Sequence, residues 1–147
     1  MPTPPAAAAG FGVRSRQDAF HLAIPSHDLD EAYRFYVEGL GCKLARRYPD
    51  RITLDFFGDQ VVCHLHDGAV PAEQEQDLYP RHFGVTFHDR ADLDRLLHLC
   101  TVRGLPLFRE PALRFEGLVE EHTTVVLRDP SGNLLEFKHY VDPRMMH

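Results

Sequence analysis

The alternation of apolar and polar residues divides the chain into two halves that predict the same order of elements. The first half contains a strand pattern, a helical pattern and three further strand patterns, at residues 20–25, 28–41, 42–48, 51–57 and 60–66. The second half contains a strand pattern, a helical pattern, the start of another strand and a hairpin, at residues 81–88, 89–104, 105–111 and 123–140. The sequence therefore predicts the order β-α-β-β-β twice.

The two halves also begin with similar sequence segments. "HLAIPSHDLDEA" begins at His21 and "HFGVTFHDRADL" begins at His82, so each copy opens its first strand on a histidine. Each strand then ends in a His-Asp pair, and the aspartates, Asp28 and Asp89, are predicted to cap the helices that follow. We therefore expect His21 and His82 to occupy equivalent positions in a duplicated unit.

A duplicated unit of this kind predicts an α+β fold, in which two βαβββ modules form a curved mixed sheet around a cleft. The helix of each module covers one face of its strands, so we expect the opposite faces to curl towards each other around the cleft. The predicted parts are a disordered leader, a first module, a linker, a second module and a short tail, at residues 1–18, 19–67, 68–79, 80–141 and 142–147.

Composition narrows the class of partner. The chain has 147 residues, 44% of them hydrophobic, and a net charge of -6, which argues against nucleic acid or an anionic membrane as a partner. No apolar run approaches the ~20 residues of a membrane-spanning helix. Three widely spaced cysteines, Cys42, Cys63 and Cys100, suggest neither a disulfide framework nor a zinc site. We interpret them as buried thiols of a protein in the reducing cytoplasm.

Four polar residues stand at positions expected to face the cleft. His21 and His82 open the two modules, and we align His64 with Glu136 in the last strands of the two halves. Glu136 interrupts the apolar run "LLEF", where an unpaired charge would be costly. Imidazoles and carboxylates are metal ligands, so the sequence predicts a divalent-metal site of His21, His82, Glu136 and His64, with His66 as a substitute for His64.

Further side chains follow these candidates at strand spacing. Lys138 and Tyr140 are predicted to share the face of Glu136, where either can bind an anionic group of a substrate or lie at the solvent rim. We take His64 and Tyr140 as candidate catalytic residues. His27 and His88 adjoin the helix caps and are interpreted as structural or solvated.

Several motifs resemble the vicinal oxygen chelate superfamily, which includes glyoxalase I, fosfomycin- and bleomycin-resistance proteins and type I extradiol dioxygenases. They are "HLAIPSHDLDEAYRFYVEGLG", "HFGV" and "RDPSGNLLEFK". Together with "FFGDQVVCHL" and "RFEG", they are most similar to bacterial single-subunit proteins described as predicted dioxygenases of the extradiol type. The resemblance implies a homodimer and a triad of His21, His82 and Glu136 that binds Fe(II) and leaves open positions for substrate and O₂.

The sequence differs from both the ring-cleaving dioxygenases and the glyoxalases at positions that are important in those enzymes. Val126 and Gly117 stand where ring-cleaving enzymes carry a tyrosine and a histidine, and His64 stands where glyoxalases carry a carboxylate ligand. We predict a metal-dependent enzyme for a small chelating, oxygen-rich substrate, preferably an extradiol-type dioxygenase with Fe(II), which Mn, Ni or Zn can replace. The alternatives are a glyoxalase-type isomerase or lyase, and a small-molecule-binding protein without catalytic activity.

Overall fold

The computed structural model describes residues 12–147, so most of the predicted leader lies outside the described part. The strands within it are β1 (His21–Ser26), β2 (Lys43–Tyr48), β3 (Arg51–Phe56), β4 (Asp59–Leu65), β5 (Phe83–Thr86), β6 (Leu107–Arg114), β7 (His122–Arg128) and β8 (Leu134–Tyr140). The helices are α1 (Leu29–Tyr33), which continues as a π-helical segment (Arg34–Gly39), and α2 (Arg90–Arg103). Short 3₁₀ turns occupy Glu73–Glu75 in the linker and Pro143–Met146 in the tail.

The strands form two four-stranded mixed sheets, each with the same topology. Sheet A has the order β1-β4-β3-β2 and sheet B the order β5-β8-β7-β6. The first and last strands of each module are parallel, and the other neighbours are antiparallel. The α+β class and the two βαβββ modules are confirmed. The strands are nevertheless hydrogen-bonded as two sheets rather than as one curved sheet.

Both helices begin where the capping residues were predicted. The Asp28 carboxylate accepts hydrogen bonds from the backbone N–H groups of Asp30 and Glu31, at 2.8 and 3.0 Å, and so satisfies the first turn of α1. Asp89 occupies the same position before α2, but its carboxylate contacts the His88 ring instead. The equivalence of the two modules therefore holds at the helix starts.

The two modules share one hydrophobic core, which the alternation of each strand explains. Alternate residues of sheet A and of sheet B point towards the helices, and they join a single cluster that includes Ile52, Cys63, Leu135 and Phe137. The Phe56 and Phe137 rings, one from each module, lie 6.4 Å apart. Candidate ligands on the remaining alternate positions therefore lie on the faces opposite this core.

The turn between β7 and β8 ties the second module to the first. The buried Asp129 carboxylate accepts hydrogen bonds from the Tyr36 hydroxyl at 2.7 Å and from the backbone N–H groups of Ser131 and Asn133. The Asn133 amide donates to the Pro25 carbonyl at 2.9 Å. Burial raises the pKa of Asp129, although these hydrogen bonds oppose the shift. The "DPSGN" motif is thus a contact between modules as well as a turn.

The three cysteines are buried, as the sequence predicts. Cys42, Cys63 and Cys100 are buried free thiols, and burial raises the pKa of Cys42 and of Cys63 to about 12. Cys42 and Cys63 are therefore thiols and not thiolates at neutral pH. Between residues 12 and 147, no helix has the length and apolar character needed to span a membrane.

Candidate functional site

The parallel strand pairs show which positions of the two modules correspond. His21 pairs with Gln60 on β4, and Gly84, two residues after His82, pairs with Glu136 on β8. By this register the equivalent of Glu136 is Val62. The predicted alignment of His64 with Glu136 is therefore wrong by two residues.

The two turns differ in length, but the strands that follow them correspond residue by residue from the turn glycines Gly58 and Gly132. Residues 57 and 58 alone separate the paired ends of β3 and β4, whereas residues 129–133 separate those of β7 and β8. His64 pairs with Pro25, so its equivalent in the second module is Lys138, which pairs with Thr86. A displacement of two residues leaves a side chain on the same face of the sheet.

The candidate ligands consequently form two pairs on two sheets. His21 and His64 share the outer face of sheet A, and His82 and Glu136 share the outer face of sheet B. Across residues 12–147, no three His, Cys, Asp or Glu side chains are placed so that they could hold a metal ion. The structure therefore does not show the expected metal-binding cleft, and the predicted ligands lie on two different sheets.

His82 is held in a form that suits metal binding. Its Nδ1 donates to the Leu78 carbonyl at 2.7 Å, and its ring edge contacts the Tyr79 ring at a centroid distance of 5.8 Å. A carbonyl oxygen only accepts, so Nδ1 carries the proton and a neutral ring keeps its lone pair on Nε2. Metal-binding histidines are commonly oriented by such a bond to a carbonyl.

Glu136 is almost buried on β8, at the level of Gly84, two residues beyond this histidine. Only 11% of its side chain is exposed, and its Oε1 lies 3.5 Å from the Lys138 ammonium. On β5, Gly84 pairs with Glu136, and a Cβ at this glycine would stand 1.7 Å from the Glu136 carbonyl oxygen. The "HFGV" motif therefore needs its glycine for the close approach of β5 to β8. An oriented imidazole and a carboxylate on one face of a sheet are two donors of the kind that bind a divalent metal.

Three more polar side chains extend this face of sheet B. The Lys138 ammonium donates to the Tyr140 hydroxyl at 3.2 Å, and the Tyr140 ring lies 4.7 Å from the ring of His122. The pKa of Lys138 is raised, because this bond and the Glu136 charge outweigh its burial, which acts in the opposite direction. His122 is buried and donates from Nδ1 to the Glu120 carbonyl. His122 pairs with Tyr140 across the hairpin of β7 and β8.

The remaining histidines near the site have structural partners. His27 contacts the Ser131 hydroxyl at 2.8 Å through Nδ1 and the Glu31 carboxylate at 2.9 Å through Nε2, so it joins the two modules. The exposed His66 accepts from the Gly68 backbone N–H. These contacts agree with the structural role expected for His27.

The linker closes one end of the outer face of sheet B. Leu78 packs with Val126 and Leu134, and Arg128 donates to the Gln76 side chain. A cavity of about 640 Å³ lies between β1, the linker and the start of β5, and His82 forms part of its wall. The linker therefore both orients His82 and borders a space large enough for a small ligand.

The comparison with protein families identifies the class. Residues 19–137 match the model of the Glyoxalase/Bleomycin resistance protein/Dioxygenase superfamily. The chain belongs to this superfamily, which is the vicinal oxygen chelate superfamily expected from the motifs. Membership of this superfamily supports a metal-dependent protein of the glyoxalase, dioxygenase or resistance type.

Individual relatives agree with this membership. The chain is similar to a glyoxalase/bleomycin resistance protein/dioxygenase from Alicyclobacillus acidocaldarius, whose crystal structure is known. The two sequences are 62% identical, the match covers 91% of this chain and 99% of that chain, and the TM-score of the two structures is 0.84. The glyoxalase domain-containing protein RDO1 of Mycosarcoma maydis is 28% identical over 131 residues, which are 84% of this chain and 69% of that protein. A lactoylglutathione lyase structure from Agrobacterium tumefaciens shares the fold at 20% identity, with 93% and 96% of the two chains covered and a TM-score of 0.62.

Proposed function

We propose that the chain is a metal-dependent enzyme of the extradiol dioxygenase type, which acts on a small chelating, oxygen-rich substrate. The proposed ligands are His21, His82 and Glu136. The observation that carries the proposal is the pair on sheet B, where an imidazole oriented by the Leu78 carbonyl shares a face with a nearly buried carboxylate. Two imidazoles and one carboxylate are the donor set of non-haem Fe(II) oxygenases, so Fe(II) is the proposed metal.

We propose that a second copy of the chain completes the site. His82 and Glu136 supply two donors from sheet B, and His21 supplies the third from sheet A of the partner. A symmetric dimer contains two such sites, because each copy contributes both halves. The proposal accounts for the exposure of His21 and His82 on their sheets in the isolated chain.

The position of His64 favours three protein ligands over four. His64 lies four residues beyond the register position of His21, which is about 13 Å along the sheet. Two imidazoles so far apart do not readily reach one ion, so His64 is left free for the substrate. Three ligands leave more positions open than the four-ligand arrangement of a glyoxalase-type site.

The bound metal would supply Lewis acidity and open coordination positions for a chelating substrate. The chain itself holds His82 in the required tautomer, and Leu78 of its linker packs on the same face of sheet B. In the proposed reaction, O₂ delivers both of its atoms to the cleaved product, so no separate reductant is needed. His64 and Tyr140 are the proposed groups for moving the substrate's proton.

The metal and His64 can be tested together. We expect anaerobically purified protein to contain about one divalent metal per chain and to consume O₂ with a member of a catechol panel. His64→Ala should keep the metal and slow O₂ consumption by about a hundredfold or more, as loss of a general base does. Metal analysis and an oxygen electrode measure both effects. Loss of the metal in this variant, together with conversion of hemithioacetals by the wild type, would instead identify a glyoxalase-type site.

A further inference from the structure

The linker crosses the outer face of sheet B between two side chains that hold it. Arg128 on β7 pairs with Leu134 on β8, and the register of β5 and β8, continued by one residue, places His82 on the other side of Leu134. Leu78 of the linker packs with Leu134 in one apolar cluster. His82 and Arg128 therefore stand two strands apart, about 10 Å across the sheet, with the linker between them.

Arg128 attaches the first part of the linker to sheet B. Its guanidinium donates from Nε to the side-chain oxygen of Gln76 and from Nη2 to the carbonyl of Pro71. The planar guanidinium fixes the directions of both hydrogen bonds at once. Gln76 in turn donates from Nε2 to the carbonyl of Gly132, in the turn that follows β7. The linker is thus bonded both to β7 and to its turn.

The linker also fits closely against this turn. A Cβ at Gly132 would stand 3.0 Å from Cδ of Pro71 and 3.3 Å from Nε2 of Gln76. The two linker residues that Arg128 binds are therefore the same two that lie against the backbone of the turn. This packing leaves them one close-fitting position on the sheet, which the guanidinium bonds hold.

The second part of the linker orients His82. Leu78 is only 7% exposed, and its carbonyl accepts a hydrogen bond from Nδ1 of His82 at 2.7 Å. A single residue separates Leu78 from Gln76, so the place of this carbonyl depends on where Gln76 is held. Arg128 is thereby connected to the His82 ring through the linker, from the opposite side of Leu134.

We propose that Arg128 is a positioning residue for His82 as a metal ligand. By holding Gln76 and Pro71, it keeps the Leu78 carbonyl where it binds the proton on Nδ1, and so leaves the lone pair on Nε2 for the metal. This inference rests on the proposed function and adds to it a residue that acts only through the linker.

The tautomer of His82 tests this inference in the metal-free protein. Long-range ¹H–¹⁵N correlation of the neutral histidine rings shows which nitrogen carries the proton, and His82→Gln identifies the signals of His82 by their loss. We expect the wild type to be protonated on Nδ1. In Arg128→Gln, the freed linker should let the proton distribute over both nitrogens, because the carbonyl acceptor is no longer fixed.

The affinity for Zn(II) is the second measurement. We expect Arg128→Gln to bind Zn(II) about tenfold to a hundredfold more weakly in competition with a chelating dye, the usual cost of losing a group that orients a metal ligand. Loss of a positive charge near the site would by itself strengthen the binding of a cation, so weaker binding reports lost orientation. Arg95→Gln, at an exposed arginine of α2, is the control and should behave as the wild type.

The outcomes distinguish this inference from the proposed function. Unchanged ring signals or unchanged Zn(II) affinity in Arg128→Gln would overturn the inference, and a lower melting temperature alone would then mean that Arg128 serves only the stability of the fold. A wild type that binds no divalent metal would instead overturn the proposed function. In that case the ring signals of the metal-free protein would still show whether Arg128 determines the tautomer of His82.

Discussion

Glu136→Gln is expected to lower the affinity for divalent metal by about a hundredfold or more, and to leave the fold intact. Glutamine keeps the shape of the side chain but removes the charge of the only proposed carboxylate ligand. Two imidazole ligands then remain. Mutation of a residue that only orients a metal ligand typically lowers metal affinity by about tenfold to a hundredfold, so removal of the ligand's own charge should lower it further. Lys138 keeps its bond to Tyr140, so packing on this face should persist.

Equilibrium dialysis with Fe(II) under anaerobic conditions measures this loss, and circular dichroism checks the fold. Glu116→Gln is the matched control, because Glu116 is an exposed glutamate in the loop after β6. It should bind metal as the wild type does. Full metal occupancy in the Glu136 variant would show that the metal is held elsewhere.

Asp129→Ala is expected to lower the free energy of unfolding by about 3–5 kcal/mol, because several buried donors lose their acceptor at about 1–3 kcal/mol each. Asp129 is 3% exposed, and four donors from three residues converge on it: the Tyr36 hydroxyl, two backbone N–H groups and the Asn133 amide. Alanine leaves all four without this acceptor. Removal of a buried carboxylate offsets part of the cost, because its raised pKa shows that burial disfavours its charge.

Urea unfolding followed by circular dichroism measures this change. Tyr36→Phe removes one of the four donors, so its cost should be smaller, at about 1.5–3 kcal/mol for a hydrogen bond to a charged group. Asp142→Ala, near the C-terminal end of the chain, serves as the control for loss of a carboxylate. An Asp129 variant as stable as the wild type would mean that this turn does not hold the modules together.

Local patterns were sufficient to predict the elements of the fold. The strand alternation, the capping position of Asp28 and the left-handed Gly104 that ends α2 are local features, and the structure has all of them. The face on which Glu136 lies also follows from alternation within its strand. The register of His64 does not, because it depends on pairing with a strand about forty residues away.

The arrangement of the modules depends on packing that no local pattern records. The helix-facing residues of both sheets merge into one core, so the candidate ligands stay on two separate outer faces. In the sequence, Thr124 is an ordinary strand residue. Only the structure shows that its hydroxyl has no hydrogen-bond partner among the described residues. Likewise, the sequence shows Asp129 only as a turn residue, and its bond to Tyr36 joins residues of different modules.

A mixed dimer tests most directly the claim that two copies assemble one site. Chains with His21→Ala and chains with Glu136→Ala, carrying different affinity tags, would be coexpressed and the mixed dimers isolated by tandem purification. One of the two sites in such a dimer would combine both substitutions, and the other would contain His21, His82 and Glu136 intact. We predict that each variant alone binds no metal and that the mixed dimer binds about one ion, half of the wild-type content. A mixed dimer without metal would place the site within a single chain and contradict this account.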